Sequence, residues 1–210
     1  MADVVAERDP RSLELAVGLL RSGELVAYPT DTVYGLGAPA TDEALVRKLY
    51  AVKGRPLSKP LPLLVSDSLM AEWVAEITPL AHTLMVAFWP GGLTIVMRRK
   101  PEFRSLALSG NDTVALRLPD HNVPRDLAKM LGEPLTGTSA NRTGVRPPTS
   151  AAEVAFQLGE MVALVIDGGK SRGGKESTVI DTTADGGPRL LREGAVPRED
   201  LERVLRMTIG

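Results

Sequence analysis

Lys53, Arg55 and Lys59 stand within seven residues that contain no acid. Arg142 and Arg146 follow Ser139 and Asn141 in a stretch with no acid between Glu133 and Glu153. Lys170, Arg172 and Lys175 occupy a glycine-rich loop and face Glu176 alone. Arg117 falls on a predicted strand and Arg192 at a strand end, and loops at strand ends are where open α/β sheets bind ligands. Basic side chains, hydroxyls and backbone N–H groups in this pattern suit an anion-binding cleft. Reactions run by positioning and charge neutralisation, such as phosphoryl and nucleotidyl transfer, use such a cleft. Solvated surface charge would leave the same spacing.

Several chemistries are excluded. The chain has no cysteine, so it holds no disulfide, thiolate metal site or cysteine nucleophile. Two histidines are too few for an all-histidine zinc site, and His82 in a helix and His121 beside a turn read as structural. Asp31, Asp112 and Asp167 could act as catalytic acids, although aspartates at strand ends more often cap loops. Gly169 to Lys175 fits GxxxxGK, but Glu176 replaces the magnesium-binding hydroxyl and a strand follows, so it is no Walker A loop. Gly35 to Ala40 fits GxGxxA, but Ser58 and Lys59 stand where a ribose-binding acid is required. No nucleophile elbow or catalytic triad is present.

The elements that must position these residues alternate between strand and helix. Helices are predicted over 12–21, 42–52, 123–131, 151–158 and 198–206, with two more within 68–88. Strands are predicted over 25–28, 63–66, 93–98, 113–118, 135–138, 162–167, 177–181 and 189–191. This pattern predicts an α/β fold, a twisted mixed sheet flanked by helices with a concave basic cleft. No linker, repeat or charge block divides the 210 residues, so residues 1–210 read as one domain. Twenty glycines and sixteen prolines cluster in the loops, as loops wrapped around a ligand would. Net charge is −1 and aromatics are 4%, which argues against a dedicated nucleic-acid platform. No apolar run is long enough for a membrane span. The acidic start lacks the features of a signal peptide, and the expected location is cytoplasmic.

The segments YPTDTVYGLGAPA, KGRPLSKPLPLLV, WPGGLTIVM, NDTVALRLPDH, TSAN, IDGG and ESTVID occur in that order. Together they resemble the Sua5/YrdC family of L-threonylcarbamoyladenylate synthases, over about residues 13–192. Because the sequence stops at Gly210, it resembles the short, single-domain form. The resemblance implies a YrdC-like fold and a condensation of L-threonine, bicarbonate and ATP. The carbamate formed from threonine attacks the α-phosphate and expels pyrophosphate, giving the intermediate for N6-threonylcarbamoyladenosine at tRNA position 37. It implies catalytic roles for Lys53, Arg55 and Arg117. L-Threonine would contact Thr32, Arg117, Gly137 and Ser177. ATP would contact Arg55, Lys59, Thr113, Ser139, Asn141 and Arg192. Magnesium would arrive with ATP, with no protein metal ligands and no tightly bound organic cofactor.

Implied partners are a threonylcarbamoyl transferase complex that accepts the product and a contact with tRNA or other RNA. No membrane partner is implied. Two positions depart from the family pattern. Leu64 stands where some members place a threonine-contacting histidine, and Pro147 replaces a serine near the nucleotide. Two rival readings are a double-stranded-RNA-binding module without catalysis and a carbamoyl transferase using carbamoyl phosphate. The latter lacks its expected cysteines and its acylphosphatase and zinc-finger segments. A sugar-phosphate synthase would need an acid-rich loop that PTDTVYG does not supply.

Overall fold

Short polar side chains set four of the helix starts. In a computed structural model describing residues 2–171 and 174–210, Asp42, Asp67, Thr78 and Ser150 each accept a main-chain N–H three residues on. Arg172 lies outside the described residues. The chain begins β1 (Asp3–Ala6), α1 (Ser12–Arg21), β2 (Val26–Tyr28), β3 (Gly35–Gly37), α2 (Glu43–Lys53) and β4 (Leu63–Leu64). It continues α3 (Ser68–Val74), α4 (Pro79–Phe88), β5 (Leu93–Arg98), β6 (Thr113–Arg117), α5 (Asn122–Leu131), β7 (Leu135–Thr136) and β8 (Thr138–Ser139). It ends α6 (Ala151–Leu158), β9 (Leu164–Asp167), β10 (Thr178–Asp181), β11 (Arg189–Arg192) and α7 (Arg198–Leu205).

The fold is mixed α/β, as expected, but its strands form two sheets rather than one. One has the order β1-β9-β2-β3-β8 and the other β11-β10-β5-β6-β4-β7, and each mixes parallel and antiparallel pairs. The predicted 135–138 strand is divided at Gly137, where the chain crosses from one sheet to the other. A side chain there would collide with Leu64, since a Cβ would lie 2.8 Å from Leu64 Cδ2. Polar contacts stitch the sheets together at this crossing. Tyr28 Oη donates to Thr136 O at 2.7 Å, Ala38 N donates to Thr136 Oγ1 at 2.9 Å, and Thr136 N donates to Ala38 O at 2.9 Å.

β3 occupies part of what reads as a glycine-rich loop. Its glycines are there for packing: a Cβ on Gly35 or Gly37 would lie 2.6 or 2.7 Å from the Tyr28 ring. β1 also escaped the periodicity, because it is a mostly exposed edge strand held by its parallel pairing to β9. A single apolar cluster runs through both sheets and the helices on them, including Leu20, Leu36, Leu63, Ile95, Val165 and Ile180. Among the described residues no helix is long and apolar enough to cross a membrane.

Candidate active site

The segment between β2 and β3 turns around a hydroxyl. Thr30 Oγ1 donates to Val33 O at 2.7 Å and accepts from Thr32 N at 3.1 Å. This turn holds Thr32 and Asp31 opposite the end of β6, where Arg117 is buried. The arginine donates through Nε to Gly91 O (2.9 Å), through Nη1 to Thr32 Oγ1 (2.9 Å) and through Nη2 to Asp31 Oδ1 (2.5 Å). Burial lowers its pKa and the Asp31 carboxylate opposes that shift, so the guanidinium stays charged at neutral pH. Two of its five N–H groups remain for a ligand.

A clamp between β10 and β11 supplies the opposite wall. Arg192 donates through Nε (3.0 Å) and Nη2 (2.8 Å) to Ser177 O, and its Nη1 pairs with Glu176 Oε2 at 3.1 Å. The Ser177 hydroxyl lies 2.8 Å from that of Thr94 on β5. Thr178 closes the clamp: its hydroxyl donates to Val196 O and accepts from Gly194 N and Val196 N.

Thr32, Arg117, Gly137, Ser139, Ser177 and Arg192 thus line one pocket at the junction of the two sheets. Gly137 spends its N–H on Pro62 O at 2.7 Å, which leaves its carbonyl to offer. Leu64 also lines the pocket, so this position contributes an apolar surface. Tyr28, Tyr34 and Glu176 line it too; they fall within the quoted motifs but were not among the expected site residues. The Tyr34 hydroxyl donates to Gly169 O at 2.7 Å and accepts from Gly168 N at 3.2 Å, tying the IDGG turn to the pocket. Burial, the larger cause, pushes its pKa up to about 12.

The remaining expected residues lie outside this lining. Lys53 is buried at the end of α2, where its ammonium donates to the carbonyls of Ser139 and Asn141. Ser139 Oγ donates to Asn141 Oδ1 at 2.6 Å, and Asn141 Nδ2 donates to Val145 O at 2.5 Å. Arg55 turns back on its own loop, donating to Lys59 O at 3.1 Å and Pro60 O at 2.8 Å, and Lys59 is exposed. Thr113 lines a second pocket on the face of β5, β6 and β10, together with Pro60, Leu61, Val96 and Leu191. Arg192 borders both pockets. Arg117 and Arg192 therefore share one lining, whereas Lys53, Arg55 and Lys59 lie outside it, so the expected single basic cleft is not gathered in one pocket. Among the described residues no three of His, Asp or Glu are grouped as a metal site.

A family model, Sua5/YciO/YrdC, described as "Telomere recombination", matches residues 18–194. The chain belongs to the Sua5/YciO/YrdC family. It is 42% identical over 194 residues to a threonylcarbamoyl-AMP synthase of Pyrococcus abyssi, covering 92% of this chain and 57% of that protein. It is 41% identical over 207 residues to the Bacillus subtilis protein of the same name, covering 98% of this chain and 59% of the relative. The structure of P. abyssi Sua5 complexed with L-threonine superposes with a TM-score of 0.92 at 40% identity, covering 100% of this chain and 62% of that one. This Sua5/YciO/YrdC chain thus spans less than two thirds of the length of each of these relatives.

Proposed function

We propose that this chain is an L-threonylcarbamoyladenylate synthase, with residues 1–210 acting as one catalytic domain in the cytoplasm. The observation that carries the reading is the pocket in which Arg117, Thr32, Ser177 and Arg192 converge. The two free N–H groups of Arg117 would clamp the threonine carboxylate, as an arginine fork does for two oxygens. Thr32 and Ser177 would take the substrate's polar groups, and the Gly137 carbonyl would accept from its amine or hydroxyl. ATP would lie across Arg192, with its base against the second pocket near Thr113. Its phosphates would lie towards Arg55, Lys59, Ser139 and Asn141, with Lys53 neutralising charge from beneath. The curated names of the relatives support the same reading.

The threonine amine adds to the carbon of bicarbonate and water leaves, giving a carbamate. A carbamate oxygen then attacks the α-phosphorus, the bond to the bridging oxygen breaks, and pyrophosphate departs. No covalent enzyme nucleophile is required, which agrees with a pocket of arginines, hydroxyls and carbonyls. Magnesium would be carried by the ATP phosphates, since the one carboxylate among the described residues of the pocket, Glu176, is paired with Arg192. It would neutralise the leaving pyrophosphate. The product is a mixed anhydride for transfer to tRNA, and a threonylcarbamoyl transferase complex would consume it. Pyrophosphate release from magnesium–ATP, with L-threonine and bicarbonate omitted in turn, tests the proposal. A requirement for both is expected. Release without either, or none with all three present, would overturn it, and salt-sensitive RNA binding indifferent to threonine would favour the non-catalytic rival.

A further inference from the structure

We propose that Asp31 is a positioning residue that sets the geometry of the Arg117 guanidinium for an incoming carboxylate; this rests on the reading of the pocket as an amino-acid site. Asp31 does not line the pocket that holds Arg117 and Thr32. It lines a neighbouring cavity with Glu7, Asp120, His121 and Lys170, and the Thr30 turn is shared by both. The carboxylate therefore reaches Arg117 from outside the pocket. It takes Nη2 at 2.5 Å, while the Gly91 carbonyl takes Nε and the Thr32 hydroxyl takes Nη1.

A planar guanidinium held at three of its nitrogens has its plane and depth fixed before the ligand arrives. Displacing such a group by about 1 Å costs on the order of 100-fold in rate. Asp31 is the group that holds Nη2, and it is also the counter-charge for a buried cation, so the two roles have to be told apart. Asp31 itself is held by the turn in which Thr30 Oγ1 binds Val33 O and Thr32 N. The pair is enclosed, with side-chain exposures of 7% for Arg117 and 18% for Asp31. Positioning and mere charge balance make opposite demands on Asp31. Positioning needs an acceptor oxygen at this place, whereas charge balance needs a negative charge anywhere near.

Two conservative variants separate these roles in the threonine-dependent pyrophosphate assay. Asp31→Asn keeps an oxygen in place and loses the charge. Asp31→Glu keeps the charge but moves the carboxylate by about one C–C bond, roughly 1.5 Å. The expected result is a threonine KM within about threefold of wild type for Asp31→Asn. For Asp31→Glu the expected threonine KM is 10- to 100-fold higher, with the ATP KM unchanged. The reverse order would overturn positioning in favour of charge balance. Unchanged threonine KM in both variants, with lowered melting temperature, would make the pair purely structural and would also overturn it. If wild-type release does not depend on threonine, the amino-acid site itself is wrong, a failure visible before either variant is made.

Discussion

The ammonium of Lys53 donates to the main-chain carbonyls of Ser139 and Asn141, so the end of α2 and the turn after β8 share one buried charge. Burial, with the Arg55 charge adding to it, holds the Lys53 pKa down at about 8, against an ordinary 10.5. Between those values the unfolded chain binds the proton and the folded one does not. Stability contributed at this site therefore rises with pH across that window, and the cost of burying the charge is present in full below about pH 8. Urea denaturation of wild type against Lys53→Met should show the difference shifting in favour of wild type from pH 8 to 10.5. A difference flat with pH would contradict the assignment. If the charged ammonium serves the phosphates, kcat/KM for ATP falls over the same window.

Lys59 separates side chain from backbone. Its carbonyl accepts from Tyr50 Oη at 2.9 Å and from Arg55 Nε, but its side chain is exposed. Truncation in Lys59→Ala leaves both backbone contacts intact. A lost charge-assisted contact to phosphate is worth roughly 1.5–3 kcal/mol. The expected outcome is an ATP KM raised by about 10-fold or more, with an unchanged threonine KM and melting temperature. A lowered melting temperature with unaltered ATP kinetics would assign Lys59 to the fold instead.

Helices were the most legible part of the sequence, because their signals are local. Ser12–Arg21 and Ala151–Leu158 carry periodic apolar faces, and Asp42, Asp67 and Thr78 are side-chain caps that need no tertiary partner. β3 and the division at Gly137 were not legible. Whether a glycine ends a strand or makes room for Tyr28 or Leu64 depends on residues brought in from elsewhere. The site divides in the same way. Arg117, Thr32, Ser177 and Arg192 stand out by residue type and motif, and the pocket brings them together. Asp31 reads from sequence only as a possible catalytic acid or a loop cap, and its pairing with an arginine 86 positions away was not legible. Thr178 was hidden for a related reason, because its partners are backbone groups of residues 194 and 196.

Gly35 tests the packing explanation of β3. Its added Cβ would sit 2.6 Å from Tyr28 Cε2, and the Tyr28 hydroxyl is anchored on Thr136 O, so the ring has little freedom to move away. Overpacking of this kind costs about 1–3 kcal/mol. Gly35→Ala should therefore lower the urea midpoint without changing the slope. Because Tyr28 also lines the pocket, threonine affinity should fall with it. Wild-type stability would mean that the ring yields freely and that glycine at this position serves another purpose.

Thr178 gives the sharpest test of the clamp that carries Ser177 and Arg192. Its hydroxyl is fully buried, donates to Val196 O at 2.5 Å, and accepts from Gly194 N at 2.8 Å and Val196 N at 2.9 Å. Gly194 sits tightly against the Glu176 carbonyl, where even a Cβ would collide, so this segment can bind only in close register. Thr178→Val preserves shape but strands two N–H groups, each worth about 1–3 kcal/mol when buried without a partner. The melting temperature should drop by at least about 4 °C, taking 2–4 °C per kcal/mol for a chain of this size. Since Arg192 borders both pockets, the KM values for threonine and ATP should rise together, unlike the single-substrate effect expected for Lys59→Ala. Thr178→Ser retains the hydroxyl and should restore both kinetics and most of the stability. A Thr178→Val enzyme with lowered stability but wild-type KM for both substrates would show that Ser177 and Arg192 are held in place without the clamp.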